Sequence, residues 1–125
     1  MGQQMKEGDS FSIVVFSKTI KVTKLSYGHA AESDDLSANG ARFTDAIGEL
    51  LLKLYQKEHG KEYTVNPVVG ANNTPFCLGD HCASVSRISE GYKASTLPPD
   101  RIESIIGDSP AHALGRLAIE IATSA

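Results

Sequence analysis

The sequence predicts an α+β fold, and three observations carry that expectation. Two runs near the start, residues 11–16 (FSIVVF) and 19–25 (TIKVTKL), are rich in β-branched and aromatic residues, the side chains that suit a pleated, half-buried surface. The end of the chain carries an apolar stripe at helical spacing, Leu114, Leu117, Ala118 and Ile121, as expected for a helix with one face in a core. At 125 residues the chain is long enough for one domain with one core and too short for two ordinary ones.

Taken in order, residues 1–27 read as an N-terminal hairpin whose two runs turn at Ser17 and Lys18. Residues 26–41 are polar and contain glycine, with an acidic cluster at Glu32, Asp34 and Asp35, and read as a surface connection. Residues 43–58 support two readings. Phe43, Ile47, Leu50, Leu51 and Leu54 fall at helical spacing, with Asn39 or Thr44 as a cap and Gly60 as a stop. A hairpin turning at His59-Gly60 competes, with residues 49–58 and 61–69 as antiparallel strands. In that hairpin Lys53, Tyr55 and Lys57 share one face. Residues 70–82 (GANNTPFCLGDHC) are turn-forming residues around two cysteines and read as a loop, and 83–97 as a further strand. Pro98 and Pro99 end the extended part. Residues 98–125 are expected to be helical, in a short segment over 98–106 and a second over 109–123 whose Ser109-Pro110 start supplies a cap and a first-turn proline. No internal repeat is evident at this level.

Composition narrows the function classes. With 41% hydrophobic and 22% charged residues, the chain is globular in character. No apolar run is long enough for a membrane span, and the first residues lack a signal-peptide pattern, so a soluble protein that does not engage membranes is expected. A net charge of -3 argues against coating nucleic acid by charge alone but permits a local binding patch.

The segment CLGDHC, residues 77–82, is the most conspicuous chemical cluster. Structural zinc wants four ligands with a distant second pair, which is missing, so no metal is assigned. A catalytic cysteine needs a base held by a third group, and no such context surrounds Cys77 or Cys82. The two thiols can stay reduced, pair with each other if their Cα atoms approach within ~7 Å, or pair with a neighbouring subunit. His29, His59, His81 and His112 are scattered, no phosphate loop is present, and the acidic cluster lacks calcium-loop spacing. Nothing here reads as an active site or calls for a cofactor.

One stretch adds a family resemblance. Tyr63-Thr64-Val65-Asn66, followed by Cys77 and Cys82 at C-x4-C spacing and then by a strand and helical residues, resembles the strand-loop segment of single-stranded RNA bacteriophage coat proteins. The resemblance implies one domain over residues 1–125, made of the 1–27 hairpin, an antiparallel sheet over 28–97 with the cysteine loop at 70–82, and helices over 98–125. It implies about five strands, with residues 49–58 and 61–69 as the central hairpin, two C-terminal helices and an interlocked dimer. The implied function is structural: the chain pairs with itself, builds a shell around single-stranded viral RNA, and resides in the virion after assembly in the bacterial cytoplasm. The resemblance also places Lys53, Tyr55, Lys57, Thr64, Asn66 and Tyr92 on an RNA-gripping sheet face, Leu114, Leu117 and Ile121 at the dimer interface, and Cys77 and Cys82 in inter-subunit disulfides.

Overall fold

The computed structural model describes residues 6–96 and 105–124. The N-terminal pattern forms β1 (Ser10–Val15) and β2 (Lys18–Lys24), paired from Ser10↔Thr23 to Val15↔Lys18. Phe16 and Ser17 both take positive φ, 53° and 62°, the turn geometry that matches the twist of the flanking strands. A bulky residue tolerates that conformation here because the Phe16 ring is buried against Phe76, with centroids 6.0 Å apart.

The polar stretch that follows is not a loose connection. It forms β3 (His29–Ser33) and β4 (Leu36–Gly40), which complete an antiparallel sheet in the order β1-β2-β3-β4. Ala31, Ser33 and Ala38 face inward and are buried, and these small residues let α1 (Phe43–His59) lie close to the strands.

In α1 the local helix signals prevail over the hairpin alternative. Ile47, Leu50, Leu51 and Leu54 are all buried along one stripe. Asp45 accepts the Arg42 backbone N–H at the start, and Gly60, at φ 78°, donates to the Gln56 carbonyl at the end. The strand pair expected at 49–58 and 61–69 is therefore corrected. The first half is α1, and Tyr63 to Val69 belong to an irregular connection in which Pro67 breaks no ladder.

Beyond residue 75 lie β5 (Phe76–Leu78), β6 (His81–Ile88), β7 (Gly91–Thr96), β8 (Ile105–Gly107) and α2 (Pro110–Ser124), the strands forming a second antiparallel sheet in the order β5-β6-β7-β8. The expected loop at 70–82 contains a strand, and the expected single strand at 83–97 is two. Of the helix expected over 98–106, residues 98–104 lie outside the described residues, while Ile105 and Ile106 sit in β8 rather than in a helix.

The two halves repeat one another, ββββα twice. Residues 18–33 (KTIKVTKLSYGHAAES) correspond to 81–96 (HCASVSRISEGYKAST), and 40–55 (GARFTDAIGELLLKLY) to 107–122 (GDSPAHALGRLAIEIA). Equivalent glycines meet equivalent neighbours: a methyl added to Gly28 would strike the Gly40 carbonyl, and one on Gly91 the Gly107 carbonyl. The helices cross reciprocally, with Gly48 of α1 against the Ala111 carbonyl of α2 and Gly115 of α2 against the Thr44 carbonyl of α1. Thr44 and Gly48 on one helix, Ala111 and Gly115 on the other, are small residues one turn apart, which allows the backbones to touch at an approximate two-fold axis.

A single core fills the space between sheets and helices. Ile20, Val22, Leu50, Leu51, Phe76, Leu78, Leu114 and Leu117 are fully buried in it, and Ile121 packs at its border. Leu114, Leu117 and Ile121, expected at a dimer interface as well as in the core, thus pack in and around the chain's own core. Among the described residues no helix is long and apolar enough to cross a membrane.

Candidate nucleic-acid interface

Alternation in the first sheet sends one set of side chains to the core and the other outward. The outward set forms cross-strand rows fixed by the register: Ser10, Thr23, Ala30 and Asn39 in one, Ser12, Lys21, Glu32 and Ser37 in the next. These residues are exposed or half-buried. Hydroxyl and amide groups thus stand side by side on a twisted surface that α1 leaves uncovered.

At one end of this face lies an open groove of about 460 Å³. Thr23, Lys24 and Asn39 line it from the strands, and the β2–β3 turn contributes Ser26 and Tyr27. Ala30, between Thr23 and Asn39 in the row, carries only a methyl there. Tyr27 is 91% exposed, so its ring faces are open to a stacking partner. The charge is balanced rather than cationic. Lys24 donates to the carbonyls of Leu25 and Gly28, Lys21 stands opposite Glu32, and Glu7 lines the groove while accepting from Ser26. Such a surface offers stacking and hydrogen bonding first and phosphate attraction second.

The second repeat has diverged at the same place. Its equivalent row is Ser86, Lys93 and Ile106, so a lysine stem stands where Ala30 leaves space and an aliphatic side chain replaces the Asn39 amide. Glu90 occupies the turn position of Tyr27. Among the described residues, the side chains that line the groove are therefore those of the first repeat.

The residues expected to grip RNA are not brought together. Lys53 and Lys57 lie on α1, where Lys53 Nζ donates to the Ser37 carbonyl at 2.7 Å and Lys57 Nζ pairs with Asp35 at 2.9 Å. Tyr55 is buried between His59 and Phe76, with ring centroids 4.1 and 5.3 Å away. Thr64 and Asn66 are exposed on the connection, and the Asn66 side chain accepts the Val68 N–H. Tyr92 is half-buried under Arg87, whose guanidinium lies 5.2 Å from the ring centroid. Five residues that a hairpin over 49–69 would align are dispersed once residues 43–59 coil, and Tyr92 lies apart from them on β7. The groove residues carry little sequence signal, because the polar composition of residues 26–41 is that of a connection. The available signal was the strand-like spacing of Ala31, Ser33, Leu36 and Ala38 around the Asp34-Asp35 turn.

Cys77 and Cys82 are directly opposite each other across β5 and β6 and form a disulfide within the chain, with Cα atoms 4.0 Å apart. Both thiols are used there, which corrects the inter-subunit pairing expected of them.

Two other polar clusters have structural explanations. Ser17 Oγ lies 2.9 Å from His81 Nε2, but hydrolytic catalysis also needs a group orienting the histidine and an oxyanion site. Among the described residues none bonds the other ring nitrogen of His81. Asp45, Asp108 and His112 bring ligand atoms within 4.8 Å of one another. The Arg42 guanidinium already bonds both carboxylates at 2.9 to 3.1 Å, so the charge a cation would meet is compensated from within.

No family model, curated protein or solved structure matches the chain.

Proposed function

We propose that the protein is a non-catalytic binding module that holds single-stranded RNA on the outward face of its first sheet. The observation that supports this most directly is Tyr27, almost fully exposed in a groove that Thr23 and Asn39 also line, with the small Ala30 between those two in the cross-strand row. An unpaired base stacks on the ring, lies over the alanine and exchanges hydrogen bonds with the hydroxyl and the amide, while Lys24 and Lys21 lie near the backbone path. Single-stranded RNA offers splayed bases to this kind of surface, and a duplex does not.

An RNA-enclosing shell, the function implied by the phage-coat resemblance, rested on a central hairpin at residues 49–69. With that segment coiled into α1 and an irregular connection, the shell reading loses its geometric support, and the RNA-binding part of the expectation moves to a different surface.

Fluorescence anisotropy with a labelled, unstructured RNA of about twenty nucleotides tests the proposal. Base–aromatic stacking is worth roughly 1–3 kcal/mol per base, so Tyr27→Ala should weaken binding by about 5- to 150-fold with the melting temperature unchanged. Equal binding by wild type and Tyr27→Ala, or no binding by either, contradicts it.

A further inference from the structure

The sheets have outer edges, and the chain protects them unequally. An exposed edge presents free N–H and C=O groups that template another strand, and proteins commonly block it with charged side chains. On β4 the outward carbonyl of Ser37 is occupied by Lys53. On β8 the Ile106 carbonyl is occupied by Arg116. The Cys77 carbonyl on β5 accepts from His59 Nε2 at 2.8 Å, and farther along that side of the sheet the Arg87 carbonyl of β6 accepts from the Gly70 N–H at 3.2 Å.

β1 is the exception. Its two-residue turn makes Val15↔Lys18 the first closely bonded pair, so Phe11, Ile13 and Val15 direct their backbone groups to β2. The N–H and C=O groups of Ser10, Ser12 and Val14 therefore point away from the sheet, and among the described residues nothing bonds them. The six residues SFSIVV hold no charge, proline or glycine, and Val14 is 65% exposed.

From this contrast we infer that β1 is an interaction edge and that its partner is the β1 of a second copy of this chain. An antiparallel pair centred on Ser12 sets Ser12 opposite its own copy and Ser10 opposite Val14 in both directions. All outward backbone groups of the strand are then bonded, and no two like charges meet. On the inner side Phe11 and Ile13, each half-buried at the border of the core, are covered by their copies. On the outer side the two Tyr27-bearing faces join into one sheet related by a two-fold axis. The inference rests on the edge alone and stands whether or not the face binds RNA.

Sedimentation velocity of the full chain, without nucleic acid and over a range of concentrations, is the test. The wild type is expected to approach twice the 13.3 kDa chain mass as concentration rises. Ser12→Lys sets two lysines directly opposite on the axis, a destabilising arrangement, and should halve the mass with the circular dichroism spectrum unchanged. Ser12→Pro, which removes the central outward N–H while sparing the bonds to β2, should do the same. A wild type that stays monomeric at every concentration, or a dimer that persists in Ser12→Lys, overturns the inference.

Discussion

Tyr63 shows how one side chain ties the irregular connection to the core. Its ring packs edge-on against Tyr55 and Phe76, with centroids 5.0 and 5.3 Å away, and its hydroxyl donates to the Thr74 carbonyl at 2.6 Å. Burial, with a smaller contribution from Tyr55, pushes the phenol up to about 12. The folded state thus favours the protonated phenol. Its contribution to stability is complete below the unfolded value near 10 and is lost as pH rises toward 12. Melting temperatures between pH 9 and 12 should fall in the wild type and fall less in Tyr63→Phe, which has no proton to lose. The Tyr-x-Val pattern from Tyr63 to Val65 was visible in the sequence, but its meaning was not. Alternating residues pack half-buried against a core equally well from a strand or from an irregular segment held by side-chain bonds.

Among the secondary-structure elements, the helix crossing is the most demanding contact. A methyl on Gly48 or Gly115 would land on backbone of the facing helix, which cannot rotate away. Overpacking usually costs 1–3 kcal/mol and more where nothing yields, so Gly48→Ala should lower unfolding free energy by at least about 2 kcal/mol in urea titrations. Gly60→Ala, at a helix end with open space around it, loses only the left-handed preference, roughly 1 kcal/mol. The disulfide of the β5–β6 hairpin closes a loop with just four residues inside it. Chain entropy then credits it with roughly 2 kcal/mol, so reduction should lower the melting point without unfolding the protein. Electrophoresis should give the same monomer band with and without reductant. α1 was legible from its apolar spacing, and α2 from that together with its Ser-Pro start. The β3–β4 hairpin was not, because its buried positions are Ala31, Ser33 and Ala38, chosen small to admit α1 rather than apolar enough to stand out. The repeat was hidden for a related reason: Ile20 answers to Ala83 and Leu51 to Ala118, so equivalent positions keep their burial and not their side-chain size.

At the scale of the whole molecule, the two repeats are joined by the helix crossing and by a charged cluster beside it. Arg42, at the start of α1, bonds Asp45 of its own helix and Asp108, which leads into α2. Burial alone would push the Asp45 carboxyl up, but bonds from Arg42 hold it below the usual range, and Arg42 likewise holds Asp108 down. Depressed carboxyl values stabilise the fold at pH above about 4, and that contribution disappears as pH falls through the folded-state values. Arg42→Gln should therefore lower the melting temperature at pH 7 and flatten its decline between pH 5 and 2, read by circular dichroism. RNA binding should also carry a small electrostatic part. With Lys21 and Lys24 as the cations of the face, about two phosphates are engaged, and the slope of log K against log salt should be near -1.4.

The outward face of the first sheet as the RNA surface is tested most directly by nuclear magnetic resonance titration of the ¹⁵N-labelled chain with unstructured single-stranded RNA. The account predicts shifts concentrated at Thr23, Ser26, Tyr27, Ala30 and Asn39, extending to Lys21 and leaving the helix crossing at Gly48 and Gly115 undisturbed. Shifts confined to the connection at residues 61–75 or to the second sheet, or a spectrum that RNA leaves unchanged, would contradict it.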